Sequence, residues 1–218
     1  MLENQSVMSR SAESVLSTNK VIRNTYSLLS MTLVFSAVMA FIAMNIHVSS
    51  GTALIANIAA IAMLWFVLPG TANSAAGVPV IFAITGLFGL GLGPMLNYYM
   101  KIDPSIVMTA LGGTGVIFLG LSGYALTTRK DFSFMGGFLM VGMFVIIGAS
   151  LLNIFLGIPA LFLTVNAAVI MIMSGFILYE TSAIIHGGER NYIMATASLF
   201  LSILNMFTAL LNILGNSR

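Results

Sequence analysis

The sequence predicts an all-α membrane protein: a seven-transmembrane-helix bundle with its N-terminus in the cytoplasm and its C-terminus outside, on the periplasmic side. Three observations predict it. Of the 218 residues, 59% are hydrophobic and only 6% are charged, with a mean hydropathy of +1.05; soluble domains carry about a quarter charged residues. The apolar residues fall in runs of about twenty, the length a helix needs to cross a hydrocarbon core about 30 Å thick. Those runs are too long for barrel strands, and open sheet edges cannot face lipid. Finally, the few basic residues are distributed unevenly between the connections, which sets an orientation.

Residues 1–25 are polar and mixed in charge, with Glu3, Arg10, Glu13, Lys20 and Arg23. They lack the apolar core and small-residue cleavage site of a signal peptide. They read as a soluble cytoplasmic N-terminal tail, followed by a transmembrane domain over 26–218. Its expected spans are 26–46, 52–68, 78–100, 106–126, 134–155, 159–185 and 192–215. A loop over 69–77 separates the second and third spans, and Lys101-Ile102-Asp103-Pro104 the third and fourth. Pro94 is expected to kink the third helix or end it early, and Pro159 suits a first helical turn. With the N-terminus inside, Arg10, Lys20, Arg23, Arg129, Lys130 and Arg190 face the cytoplasm, and Lys101 and Arg218 lie outside. That bias obeys the positive-inside rule, and the opposite orientation reverses it. Arg129, Lys130, Asp131 and Arg190 are accordingly candidate cytoplasmic anchors. The net charge of +2 is explained by topology, so no nucleic-acid partner is implied. The chain has no cysteine, hence no disulfide and no thiolate metal site.

Several short patterns invite a catalytic reading. Gly120-Leu121-Ser122-Gly123 matches the GxSG of intramembrane serine proteases, and a serine nucleophile needs a base within hydrogen-bond reach. The two histidines, His47 and His186, lie at helix ends on opposite sides of the membrane. A small-residue packing face is the better reading. Gly91-Leu92-Gly93-Pro94 lacks the Asp of a GxGD aspartyl protease, and Asp103 and Asp131 both fall in loops. Gly89 and Gly93 form a small-xxx-small pair suited to close helix packing. The sixteen methionines are scattered and read as core filler. No catalytic, cofactor-binding or metal residue is assigned, and the chain reads as non-enzymatic.

Glu180 stands apart as a charged residue within an apolar helix. It lies about 9 Å inside the span if the sixth helix runs to His186. Carboxylates in membrane helices are costly and are functional candidates by default. Burial favours the neutral form of a carboxyl, which makes Glu180 a candidate pH-sensing group. On the last helix Ser198, Ser202, Asn205 and Asn212 recur at helical spacing. They are expected to point inward, with Glu180, Ser202, Asn205 and Ser198 forming a polar core. Interhelical hydrogen bonding is the plainer alternative.

The segments "STNKVIRNTY" (17–26), "GPMLNYY" (93–99), "ALGGTG" (110–115), "LTTRKDFSFMGGFL" (126–139) and "LYETSAIIHGGERNYIMATASLFLSILNMF" (178–207) together resemble the Bax-inhibitor family. The likeness is strongest to its bacterial members that modulate the FtsH protease. It implies a seven-helix bundle with the last helix enclosed by the others, in the bacterial inner membrane. It also implies FtsH, with its associated HflK and HflC proteins, as partners, and a cytoplasmic tail that the protease can seize. Other family members are pH-sensitive calcium leak channels with an Asp on each of helices six and seven and an Arg on helix two. Carried over by alignment, the first acid falls on Glu180 and the second on Ser202. The Arg has no counterpart, because 52–68 holds no charge. Calcium or protons remain possible ligands on that resemblance, but the carboxylate pair is broken.

Overall fold

The computed structural model describes the backbone of residues 2–216 and the side chains of Leu16 and residues 18–216. The side chains of most of the expected tail, and Arg218, lie outside the described residues. Seven helices among the described residues are long and apolar enough to cross a membrane: α1 (Leu2–Asn45), α2 (Ser50–Thr71), α3 (Gly77–Ile102), α4 (Pro104–Thr128), α5 (Ser133–Leu156), α6 (Pro159–Ile185) and α7 (Tyr192–Asn216). Each coincides with an expected span, and most run somewhat longer.

The differences have local causes. Helix α1 runs unbroken from Leu2 to Asn45, through the expected boundary at residue 26. Residues 2–25 contain neither glycine nor proline, so nothing separates tail from span. The second helix was expected to stop at residue 68, yet it reaches Thr71. Pro69 has no N–H to continue the ladder. The helix adapts through a π-helical turn, Met63–Val67, closed by the Leu68 N–H on Met63 O. Thr71 Oγ1 donates to Val67 O at 2.9 Å. Pro94 does not end α3 early; the helix runs through it to Ile102. The stop comes at Asp103, whose extended backbone caps α4 with Oδ1 on the Ser105 N–H at 2.8 Å.

Helix α7 is the most buried span and packs against α1, α3, α4 and α6. Helix α2 rests on α3, and α5 rests on α6. The enclosure of the last helix is therefore made by four neighbours rather than six. The tightest join is α1 against α3. Gly93 lies where a Cβ would come within 2.6 Å of Ala43 Cβ, and Gly89 faces the Ser36 carbonyl, as the small-xxx-small pair predicts. At the end carrying Lys20, Arg129 and Arg190, the basic end, Leu28, Leu29, Ile84, Leu199 and Phe200 form a buried core. Toward the opposite end Leu96, Ile106 and Leu211 take over. Leu139, Ile177 and Met206 bind α5, α6 and α7 together.

Candidate functional site

The polar core is built where α6 meets α7. Ser202 Oγ donates to Glu180 Oε2 at 3.4 Å, a long hydrogen bond. Ser202 is buried and Glu180 half-buried. One residue further along α6, Thr181 Oγ1 and Tyr26 Oη are 3.1 Å apart. Thr196 Oγ1 donates to Tyr192 O at 2.7 Å and lies 3.3 Å from Thr25 O. Hydroxyl groups thus tie α6 to α7 at Glu180 and α1 to both helices at Tyr26 and Thr25. The expected pairing of Glu180 with Ser202 is present.

Asn205 and Ser198 do not join it as expected. Asn205 is exposed and its Nδ2 donates to Leu201 O of its own helix at 2.9 Å; Ser198 is half-buried. The reason is helical geometry: a step of three residues rotates about 60° away from the starting direction. Ser202 faces α6, and Asn205 therefore faces out of the join. Asn212 belongs to a second network toward the opposite end. Tyr99 Oη donates to Asn212 Oδ1 at 3.0 Å, and Asn212 Nδ2 donates to Asn166 Oδ1 at 2.9 Å. Asn166 Nδ2 then donates to Phe162 O at 2.8 Å. Tyr99 and Asn166 were not anticipated. Asn166 carried the signal that singled out Glu180, a polar side chain well inside an apolar run.

The basic-end anchors sit in two turns. Arg129 ends α4 with a left-handed backbone, φ 50°. Lys130 Nζ stands 6.0 Å from the Tyr124 ring centroid. Asp131 Oδ1 accepts the Ser133 N–H at 2.8 Å. That bond, with the Ser133 hydroxyl and the nearby His186 and Ser182, holds its carboxyl below the usual aspartate range. Ser182 Oγ clasps this turn to α6, accepting the Phe132 N–H at 2.9 Å and lying 3.3 Å from Lys130 O. In the α6–α7 turn, Arg190 Nε donates to Gly187 O at 3.2 Å. Asn191 caps α7, its Oδ1 accepting from the Ile193 and Met194 N–H groups. Its Nδ2 reaches Ala72 O at 3.0 Å and Asn73 Oδ1 at 2.8 Å, binding the α2–α3 loop to the start of α7. An open cleft of about 640 Å³ lies between these loops, lined by Asn73, Ser74, Glu189, Arg190 and Tyr192 among others.

Ser122 is buried, and its Oγ makes no hydrogen bond. His186 instead sits against Ser182, Nδ1 to Ser182 O at 2.9 Å. No base is held at the GxSG serine.

Seven apolar helices around a sparse polar core, with short connections, define a multi-pass membrane bundle. The family model described as "Inhibitor of apoptosis-promoting Bax1" matches residues 18–218, and the chain belongs to this Bax-inhibitor family. It is 51% identical over 207 residues to an uncharacterized membrane protein of Vibrio cholerae, covering 94% of this chain and 93% of that one. It is 49% identical over 203 residues to the modulator of FtsH protease YccA of Escherichia coli K12, covering 93% and 92% of the two chains. The same figures hold for the inner membrane protein YccA of a second Escherichia coli strain.

Proposed function

We propose that this protein is a non-enzymatic inner-membrane modulator that binds the FtsH protease, together with HflK and HflC, and restrains degradation of membrane proteins. The observation that carries this reading is the likeness to YccA of Escherichia coli K12, which spans nearly the full length of both chains. The mechanism is competitive. With the N-terminus in the cytoplasm, the polar residues 1–20 give the protease a handle. The closely packed bundle then resists extraction, and the protease is occupied while it pulls. A gentle-detergent pull-down from bacterial membranes tests the reading: FtsH is expected in the eluate, and its absence rejects it. Removal of residues 1–20 is expected to leave a folded protein that still binds FtsH and turns over more slowly. Unchanged turnover removes the tail from the mechanism.

A second reading is a pH-sensitive calcium or proton leak. It is favoured by the Glu180–Ser202 contact inside the α6–α7 join. A lone carboxyl with hydroxyl neighbours is a poor divalent-cation site, since calcium takes six to eight oxygen ligands. Protein in liposomes would show pH-dependent flux that Glu180→Gln abolishes. No flux above empty liposomes rejects this reading.

A further inference from the structure

We infer that the α4–α5 turn seats an anionic phospholipid, its phosphate held by Arg129 and Lys130 and an acyl chain lying along the bare outer surface of α4. The charge of the turn points this way. Arg129 and Lys130 are exposed, and neither forms an ion pair among the described residues. The acid beside them, Asp131, is turned to other work: its carboxylate takes the Ser133 N–H and interacts with Ser182 and His186 at the end of α6. Asp131 stays ionised, so the turn carries a net charge of +1, and Arg129 and Lys130 are the two exposed cations of the turn that can meet a phosphate.

The height of the turn fits a head group. Tyr124, exposed by 44% beside it, is of the type enriched at a membrane boundary, and Phe134 and Phe138, exposed by 79% and 69%, add apolar surface next to it. Lys130 leans over Tyr124 at the outer limit of a cation–π contact. Arg129 offers a planar fork that matches a phosphate.

The surface beyond the turn fits a chain. Helices α4 and α5 are joined by this turn, yet both pack on α6 rather than closely on each other. On α4, a Cβ added at Gly120 or Gly123 would meet nothing within 4 Å. These glycines do not serve packing within the bundle, unlike Gly89 and Gly93. They leave a lowered surface next to Tyr124. An acidic soluble peptide would use the cations but not this surface. A partner's apolar helix would use the surface but not the cations. An anionic lipid in the cytoplasmic leaflet uses both.

The test is lipid retention by the full chain. Delipidated protein in neutral detergent is offered equal amounts of phosphatidylglycerol and phosphatidylethanolamine and examined by native mass spectrometry. The expected result is one retained phosphatidylglycerol, preferred on the order of tenfold: two basic residues near a head group supply roughly thirtyfold, which the neighbouring Asp131 charge reduces. Arg129→Asn with Lys130→Gln should bring the ratio close to one, Asn being tolerant of left-handed backbone. Lys130→Gln alone, at an exposed side chain, should lower it partway even if the double variant folds poorly. Lys101→Gln, at the opposite end, should leave it unchanged. Gly123→Leu should reduce retention of the long-chain lipid. Equal retention of both lipids by the wild type, or an undiminished preference in both Lys130 variants, overturns the proposal; undiminished retention in Gly123→Leu overturns the acyl-chain seat.

Discussion

Ser202 Oγ donates to Glu180 Oε2 across 3.4 Å at the join of α6 and α7. In the resemblance to the calcium-leak members of the family, Ser202 takes the place of a second acid. The pair here is one carboxyl and one hydroxyl, and a hydroxyl cannot share a proton with a carboxylate as a second carboxylate does. Interhelical side-chain bonds in membrane bundles contribute about 0.6 kcal/mol on average. Ser202→Ala should therefore lower the unfolding free energy in bicelles by about that amount. A loss above about 2 kcal/mol would mean that Ser202 carries more than this one bond.

The Tyr99–Asn212–Asn166 network should be the more costly to break. Asn212→Leu removes two interhelical bonds and strands a phenol and an amide in apolar surroundings. A loss of about 1–2 kcal/mol is expected. Tyr99→Phe should cost less, and the double variant should cost less than the sum of the two, because Asn212 is shared. Strict additivity in the cycle would refute the shared network.

Two glycine substitutions should move in opposite directions. Gly89→Ala drives a methyl group into the Ser36 carbonyl and should destabilise by about 1–3 kcal/mol. Gly120→Ala meets nothing within 4 Å and should stabilise the helix by up to about 1 kcal/mol. Thermal midpoints in one detergent decide both; equal effects of the two variants would contradict the packing described.

Asn191→Ala should loosen the basic end. It removes the α7 cap and the bonds to Ala72 and Asn73, and cap losses alone cost about 0.5–2 kcal/mol. Trypsin should then cut after the exposed Arg190 faster than in the wild type. Unchanged cleavage would show that the loop is held by something other than Asn191.

The Asp131 turn should respond to acid. Its carboxyl titrates below the ordinary range in the folded protein, chiefly through the Ser133 N–H. The stabilisation is therefore complete at neutral pH and fades as pH falls below about 4, through the folded-state value. Hydrogen exchange at the Ser133 amide, corrected for its intrinsic rate, should lose protection over that window. Asp131→Asn should remove the change.

The seven spans were legible because each apolar run has the length of a bilayer, and run length survives any choice of packing. Helix ends were less so. Thr71 extends α2 past Pro69 through a π-turn and a side-chain bond, neither of which leaves a hydropathy signal. Glu180 with Ser202 was legible because a lone acid asks for a polar neighbour on the next helix. Asn205 was assigned to the wrong face because a heptad stripe spans more than one neighbour's width on a helix. The Tyr99–Asn212–Asn166 chain joins residues 113 and 46 positions apart, and such distances carry no local pattern.

The unbroken run of α1 from Leu2 to Asn45, 44 residues, spans about 66 Å as a single helix. A machine that grips its outer end holds a rod rather than a string. Force applied along that rod arrives at the α1–α3 seam as shear, with the Gly89 and Gly93 contacts loaded together rather than peeled one at a time. The α1–α3 seam is the most extensive of the joins α1 makes, and a single-molecule pull from the N-terminus should find its largest rupture there.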